Sequence, residues 1–124
     1  MIALSTAAGN GDHAASLART ARIASLNDAL RQTFRGGHVV MTRGVSAFGE
    51  AVRGRVLAGV KRFDAFTTDN DPHGEHDFGS VTVEGTVFFW KIDPYDLDLR
   101  GGSPDPADPD VTCRVLTIMR ADEY

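Results

Sequence analysis

The chain has 124 residues, a formal charge of −4 at neutral pH and an apolar fraction of 42%. Those are the proportions of one globular domain, not of a fibrous or disordered chain. No run of about 18 apolar residues is present, which excludes a spanning helix, and the pI near 5.4 argues against direct nucleic-acid binding. The charge is unevenly divided: residues 1–62 carry +6 and residues 63–124 carry −10.

Residues 1–13, "MIALSTAAGNGDH", lack the charged and apolar regions of a secretory signal and are expected to form a flexible leader. A single α+β domain is expected over 14–124. From Ala14 to Phe34, Ile23, Leu26, Leu30 and Phe34 recur at three- and four-residue steps, so a helix is predicted with Arg19, Arg22 and Arg31 off its apolar stripe. Gly36 or Gly37 would cap its end. "HVVMT" at 38–42 reads as a strand. Val45, Phe48, Val52, Val56 and Val60 predict a second helix over about 46–59, capped by Ser46. Three strands follow, at about 78–84, 86–92 and 111–119, the first two joined as a hairpin by Glu84–Gly85. The last two are apolar on both parities and therefore suit central positions, with one face under helices and the other partly covered. The architecture expected is α+β: two helices packed on one face of a mostly antiparallel sheet of four or five strands. Cys113 is the only thiol, which fits a reduced cytoplasm and rules out an intramolecular disulfide.

Two segments concentrate ionisable groups. In "DNDPHGEHDFG" (69–79), Asp71-Pro72-His73-Gly74 matches a type I turn position by position, so the turn alone explains Asp71, Pro72 and Gly74. It leaves Glu75, His76 and Asp77 unexplained. His73, Glu75, His76 and Asp77 are thus the candidate catalytic groups, a carboxylate orienting an imidazole base. His73 and His76 are also the candidate ligands of a divalent metal, although H-x-x-H in a turn lacks the helical spacing of zinc hydrolases. No cofactor is otherwise called for. The second segment, "DPYDLDLRGGSPDPADPD" (93–110), reads as a long acidic loop. It does not form an EF-hand, because Arg100 stands at the fifth position and the twelfth lacks an acid. Asp69, Asp71, Asp93, Tyr95, Asp96, Asp98, Asp105 and Asp108 form the candidate binding surface. Tyr95 is an amphipathic anchor among the acids. Phosphate-binding loops, dinucleotide fingerprints and nucleophile elbows are absent.

The segments "NDALRQTFRGGHVVMTRGV", "FDAFTTDNDPHGEHDFG", "FFWKIDPYD" and "SPDPADPDVTCRVLTIMRADEY" together resemble a small bacterial family of chromosomes and plasmids, known only as a domain of unknown function. The likeness runs from about residue 24 to the end. The family usually has Tyr where Pro94 stands here, so that corner differs. The resemblance implies a bacterial, mobile-element setting; it supplies no activity and no catalytic residue.

The expected function is a small cytoplasmic binding protein whose acidic surface occupies a basic groove on a protein partner. The groove expected is that of a nucleic-acid-processing defence complex, CRISPR–Cas or restriction, so that the protein would be an anti-defence inhibitor. A small metal-assisted hydrolase centred on the 69–77 loop is the alternative. A homo-oligomer pairing the +6 half of one copy with the −10 half of another is the third reading.

Overall fold

The computed structural model describes residues 2–124, with side chains from Gly11 onward. Helix α1 spans Ile2–Thr33. It includes residues 2–13, expected as a leader; Met1 lies outside the described residues. The apolar stripe marks the part of this helix that meets the core: residues 11–19 are exposed, whereas Ile23, Asn27, Leu30 and Arg31 are buried. Arg31, expected off the apolar stripe, is nevertheless part of the packed interior. It points into the molecule and is 1% exposed. The helix end is also corrected, since Phe34 rather than a glycine takes the left-handed conformation directly after α1, with φ of 58°.

Strand β1 (His38–Met41) follows, and the second predicted helix is broken in two: α2 (Arg43–Ser46) and α3 (Glu50–Arg62). Ser46 therefore ends α2 instead of capping a longer helix, and Gly49 stands at the N-cap of α3. Thr42 makes no side-chain cap to α2. Glu123 supplies that function from the far end of the chain. Its carboxylate accepts from the Gly44 amide at 3.1 Å and the Thr42 hydroxyl at 2.7 Å, and the Thr42 hydrogen bond heads the causes that hold this carboxyl below its usual range.

Strands β2 (Phe78–Val83), β3 (Thr86–Tyr95) and β4 (Cys113–Arg120) complete the fold. The sheet order is β1-β4-β3-β2, antiparallel except for the parallel pair β1–β4. The β2–β3 hairpin turns at Glu84 and Gly85, both at positive φ, as a tight twisted turn requires. Strand β3 runs three residues beyond the predicted end and includes Pro94. The proline is tolerated because β2 begins opposite Lys91, so β3 has no β2 partner at Pro94.

The helices lie on one face of the sheet. Leu30, Val45, Val56 and Val60 meet Phe88, Trp90 and Ile92 of β3 and Leu116 and Ile118 of β4, all at most 3% exposed. Gly79 is paired with Trp90, and a Cβ there would stand 2.6 Å from the indole nitrogen. The absent side chain leaves room for the largest residue of the core.

Candidate functional site

The 69–77 bend leads from α3 back into β2 and folds against α1. Its backbone is held by its own polar residues: the Asp71 amide donates to the Thr67 carbonyl at 2.8 Å, and the Gly74 amide to the Asp71 carbonyl at 3.1 Å. The turn expected at Asp71–Gly74 therefore forms. Its consequence lies downstream, where His76 takes a positive φ of 55° and donates its amide to Asp71 Oδ1 at 3.2 Å. Such a backbone costs a residue with a Cβ about 1–2 kcal/mol, so tertiary contacts must hold it.

Those contacts are specific. The His76 Nδ1 lies 3.0 Å from both Asp28 oxygens, and Nε2 lies 3.7 Å from Asp71 Oδ2. The ring stacks on Phe66 with centroids 3.9 Å apart and planes 4° from parallel. Asp28 in turn accepts from the Arg31 guanidinium at 3.0 Å. Arg31 also donates to the Val60 and Lys61 carbonyls at the end of α3, and lies over the Phe66 and Trp90 rings. One turn away, the Asn27 amide donates to the Glu75 carbonyl at 2.9 Å, while its side-chain oxygen accepts from Arg114 Nε at 2.9 Å. Arg114 also donates to the Pro106 carbonyl, which ties the acidic loop to the same cluster. Burial lowers the Arg114 guanidinium from its ordinary value, with the Glu75 charge opposing.

This cluster is a polar clasp built from α1, the bend, the end of α3 and β4. Sequence reasoning reached its bend half through Asp71 and His76. It missed Asn27, Asp28, Arg31 and Arg114. The available signal was the spacing of Asn27, Asp28 and Arg31, which puts polar groups on the helix flank beside the Leu30 stripe.

The four catalytic candidates are not brought to a common point. His73 is exposed on the turn, whereas His76 is turned inward against Asp28. The His76 Nδ1 is hydrogen-bonded to Asp28, and Nε2 faces Asp71 at 3.7 Å. Glu75 contributes its carbonyl to Asn27. Among the described residues, no three His, Cys, Asp or Glu side chains are grouped as metal ligands.

Asp77 differs from the others. Burial pushes its carboxyl above the ordinary range, and the Asp71 and Asp93 charges add to the effect; its own backbone hydrogen bond and His73 oppose it. The folded state thus binds the Asp77 proton more tightly than the unfolded state does. Ionising Asp77 costs stability as pH rises from the unfolded value through the raised folded one, and that cost is fully present at neutral pH. Asp77→Asn is accordingly expected to raise the melting temperature at pH 7, with the gain shrinking as pH falls through the carboxylate range. A variant no more stable than the parent at pH 7 would contradict this assignment.

Most of the candidate binding acids are already engaged. Asp71 is buried in the clasp. Asp93 pairs with Lys91 at 2.7 Å, and that hydrogen bond is the first cause of a raised Lys91. Asp105 pairs with Arg19 at 3.0 Å and accepts from the Ala107 amide; Asp108 caps the 3-10 turn Pro109–Val111. Asp69 is exposed on the bend, remote in sequence from the second segment.

Tyr95, the last residue of β3, remains, with Asp96 and Asp98 in the loop that follows. This loop is closed by the Asp96 amide donating to the Gly101 carbonyl at 2.9 Å. The Asp96 carbonyl and side chain accept from the Leu99 and Arg100 amides at 3.1 and 3.0 Å. Leu97 and Leu99 project from it, 63% and 52% exposed, and Leu99 has a φ of 59°. Two fixed, uncovered leucines flanking Asp98 were not read from the sequence as contact residues.

Comparison with curated proteins and with solved structures gives no match. A family model does match, over residues 41–123, which is more than half of the chain and includes the bend, strands β2 to β4 and both acidic segments. The chain belongs to the family described as "Protein of unknown function (DUF3768)".

Proposed function

We propose that the protein is a non-enzymatic binding protein of the cytoplasm that grips a protein partner with the loop from Asp96 to Gly101. The supporting observation is the pair Leu97 and Leu99, both more than half exposed on a loop whose backbone is fixed by Asp96. A leucine held at positive φ without burial gives no return to the fold. Uncovered apolar groups on a rigid loop are well suited to fill a partner's pocket, and a loop that is already ordered loses little entropy on binding. Asp98 between them, in a half-chain of net −10, favours a pocket with a basic rim. The groove of a nucleic-acid-processing defence complex is the partner class proposed, blocked where it would otherwise hold phosphates.

Photo-crosslinking from position 97 in an extract of the source cells, with Leu97→Ser/Leu99→Ser and Asp98→Lys as comparison baits, tests the proposal. The double serine variant is expected to keep its stability to within about 0.5 kcal/mol and to lose partner recovery by about tenfold or more. Asp98→Lys is expected to weaken capture most at low salt. Binding of this kind needs no divalent metal, so EDTA is expected to leave it unchanged. Undiminished recovery by the double serine variant would refute the loop as the contact.

A further inference from the structure

We propose that the helix-free face of the sheet is a docking surface for a second copy of this chain. Side chains alternate along a strand. Since Phe88, Trp90 and Ile92 are buried under the helices, Val87, Phe89, Lys91 and Asp93 occupy the opposite face of β3. The strand pairing brings Phe78 beside Lys91 and Val115 beside Asp93 onto that same face, where Met119, beside Phe89, is already covered at 4% exposed. Phe78, Phe89 and Tyr124 form a mutual edge-to-face cluster with centroids 5.1 to 5.7 Å apart. Tyr124 is 74% exposed, and Val40 and Val87 are 45% and 40% exposed toward the rim. An aromatic and aliphatic sheet face without a helix over it is a surface that monomers seldom leave open.

Charge selects the occupant. Among the described strand residues, Lys91 and Asp93 are the only formally charged side chains on this face, and they neutralise one another at 2.7 Å. A basic partner or a nucleic acid would find no complementary field there. A second copy would, because a two-fold axis near β3 sets Lys91 of each chain against Asp93 of the other with no net charge buried. It would also join two acidic chains through a neutral patch. The size is adequate as well. Four strands about 4.8 Å apart and about six residues long make a floor of roughly 400 Å². Side-chain relief brings its accessible area toward the ~800 Å² per partner of a standard interface. Two such sheets would stack about 10 Å apart with their strands roughly aligned.

Sedimentation of the full chain from micromolar to near-millimolar concentration, alone and with Lys91→Glu and Asp93→Lys, tests the proposal. The parent is expected to be a dimer. Each charge variant alone places like charges across the axis and is expected to be monomeric with a cooperative melt. An equimolar mixture of the two is expected to recover the dimer, because the acidic face of one variant then meets the basic face of the other. Recovery on mixing cannot arise from misfolding. Val87→Arg, at an exposed position outside the ion pair, is also expected to be monomeric. A parent that is monomeric throughout, a dimer that survives these substitutions, or a mixture that stays monomeric would each overturn the proposal. None of these outcomes bears on the Asp96–Gly101 loop.

Discussion

Arg31→Ala is expected to lower the unfolding free energy by about 3–5 kcal/mol, the usual range when one partner of a buried ion pair is removed. The guanidinium is 1% exposed and serves three parts of the structure at once. It donates to Asp28 on its own helix, closes the last carbonyls of α3 at Val60 and Lys61, and lies over Phe66 and Trp90. Alanine leaves the α3 carbonyls without their donor, leaves Asp28 without its cation, and opens a void beside the indole. Arg31→Met would restore volume but not donors, so it should recover only part of the loss. Urea denaturation of the three proteins checks both points. A loss below about 1 kcal/mol for Arg31→Ala would mean that the α3 end and Asp28 are satisfied by other groups.

His76→Ala is expected to cost about 1.5–3 kcal/mol, less than Arg31→Ala because His76 and Asp28 are each close to 30% exposed and solvent screens their attraction. The loss combines the hydrogen bonds to Asp28 with the Phe66 stack, itself worth about 0.5–1.5 kcal/mol. It would also leave the Asp28 and Asp71 carboxylates facing each other without the imidazole between them. The positive φ of 55° separates the contributions. His76→Gly loses the same side chain but relieves the left-handed backbone, so it should be more stable than His76→Ala by about 1 kcal/mol. Alanine and glycine variants of equal stability would show that the backbone at 76 relaxes once the ring is gone.

Much of the sheet was legible because its signals are local. The Glu84–Gly85 turn fixes the hairpin, and strands apolar on both parities belong at the centre of a sheet, where β3 and β4 lie. The parallel pairing of β1 with β4 depends on contacts across more than seventy residues and leaves no mark in the four residues of β1. The split between α2 and α3 was hidden because Val45, Phe48 and Val52 keep a helical step across the break, although Gly49 stands there. At the bend, turn chemistry accounted for Asp71, Pro72 and Gly74. His76 could not be assigned a role, because its partner Asp28 lies 48 residues away on a helix. An arginine in a helical sequence reads as solvated unless the aromatic rings that receive it are known, and Phe66 and Trp90 come from a loop and a strand.

His76 acts as a clasp between the bend and α1. A double-mutant cycle in urea of Asp28→Ala, His76→Ala and the double variant measures that role most directly. Removal of Asp28 should take away most of what His76 contributes through its ring nitrogens, giving a coupling energy of about 1–2 kcal/mol. Losses that add to within about 0.3 kcal/mol would mean that the two side chains act independently, and the clasp would not be what holds the bend.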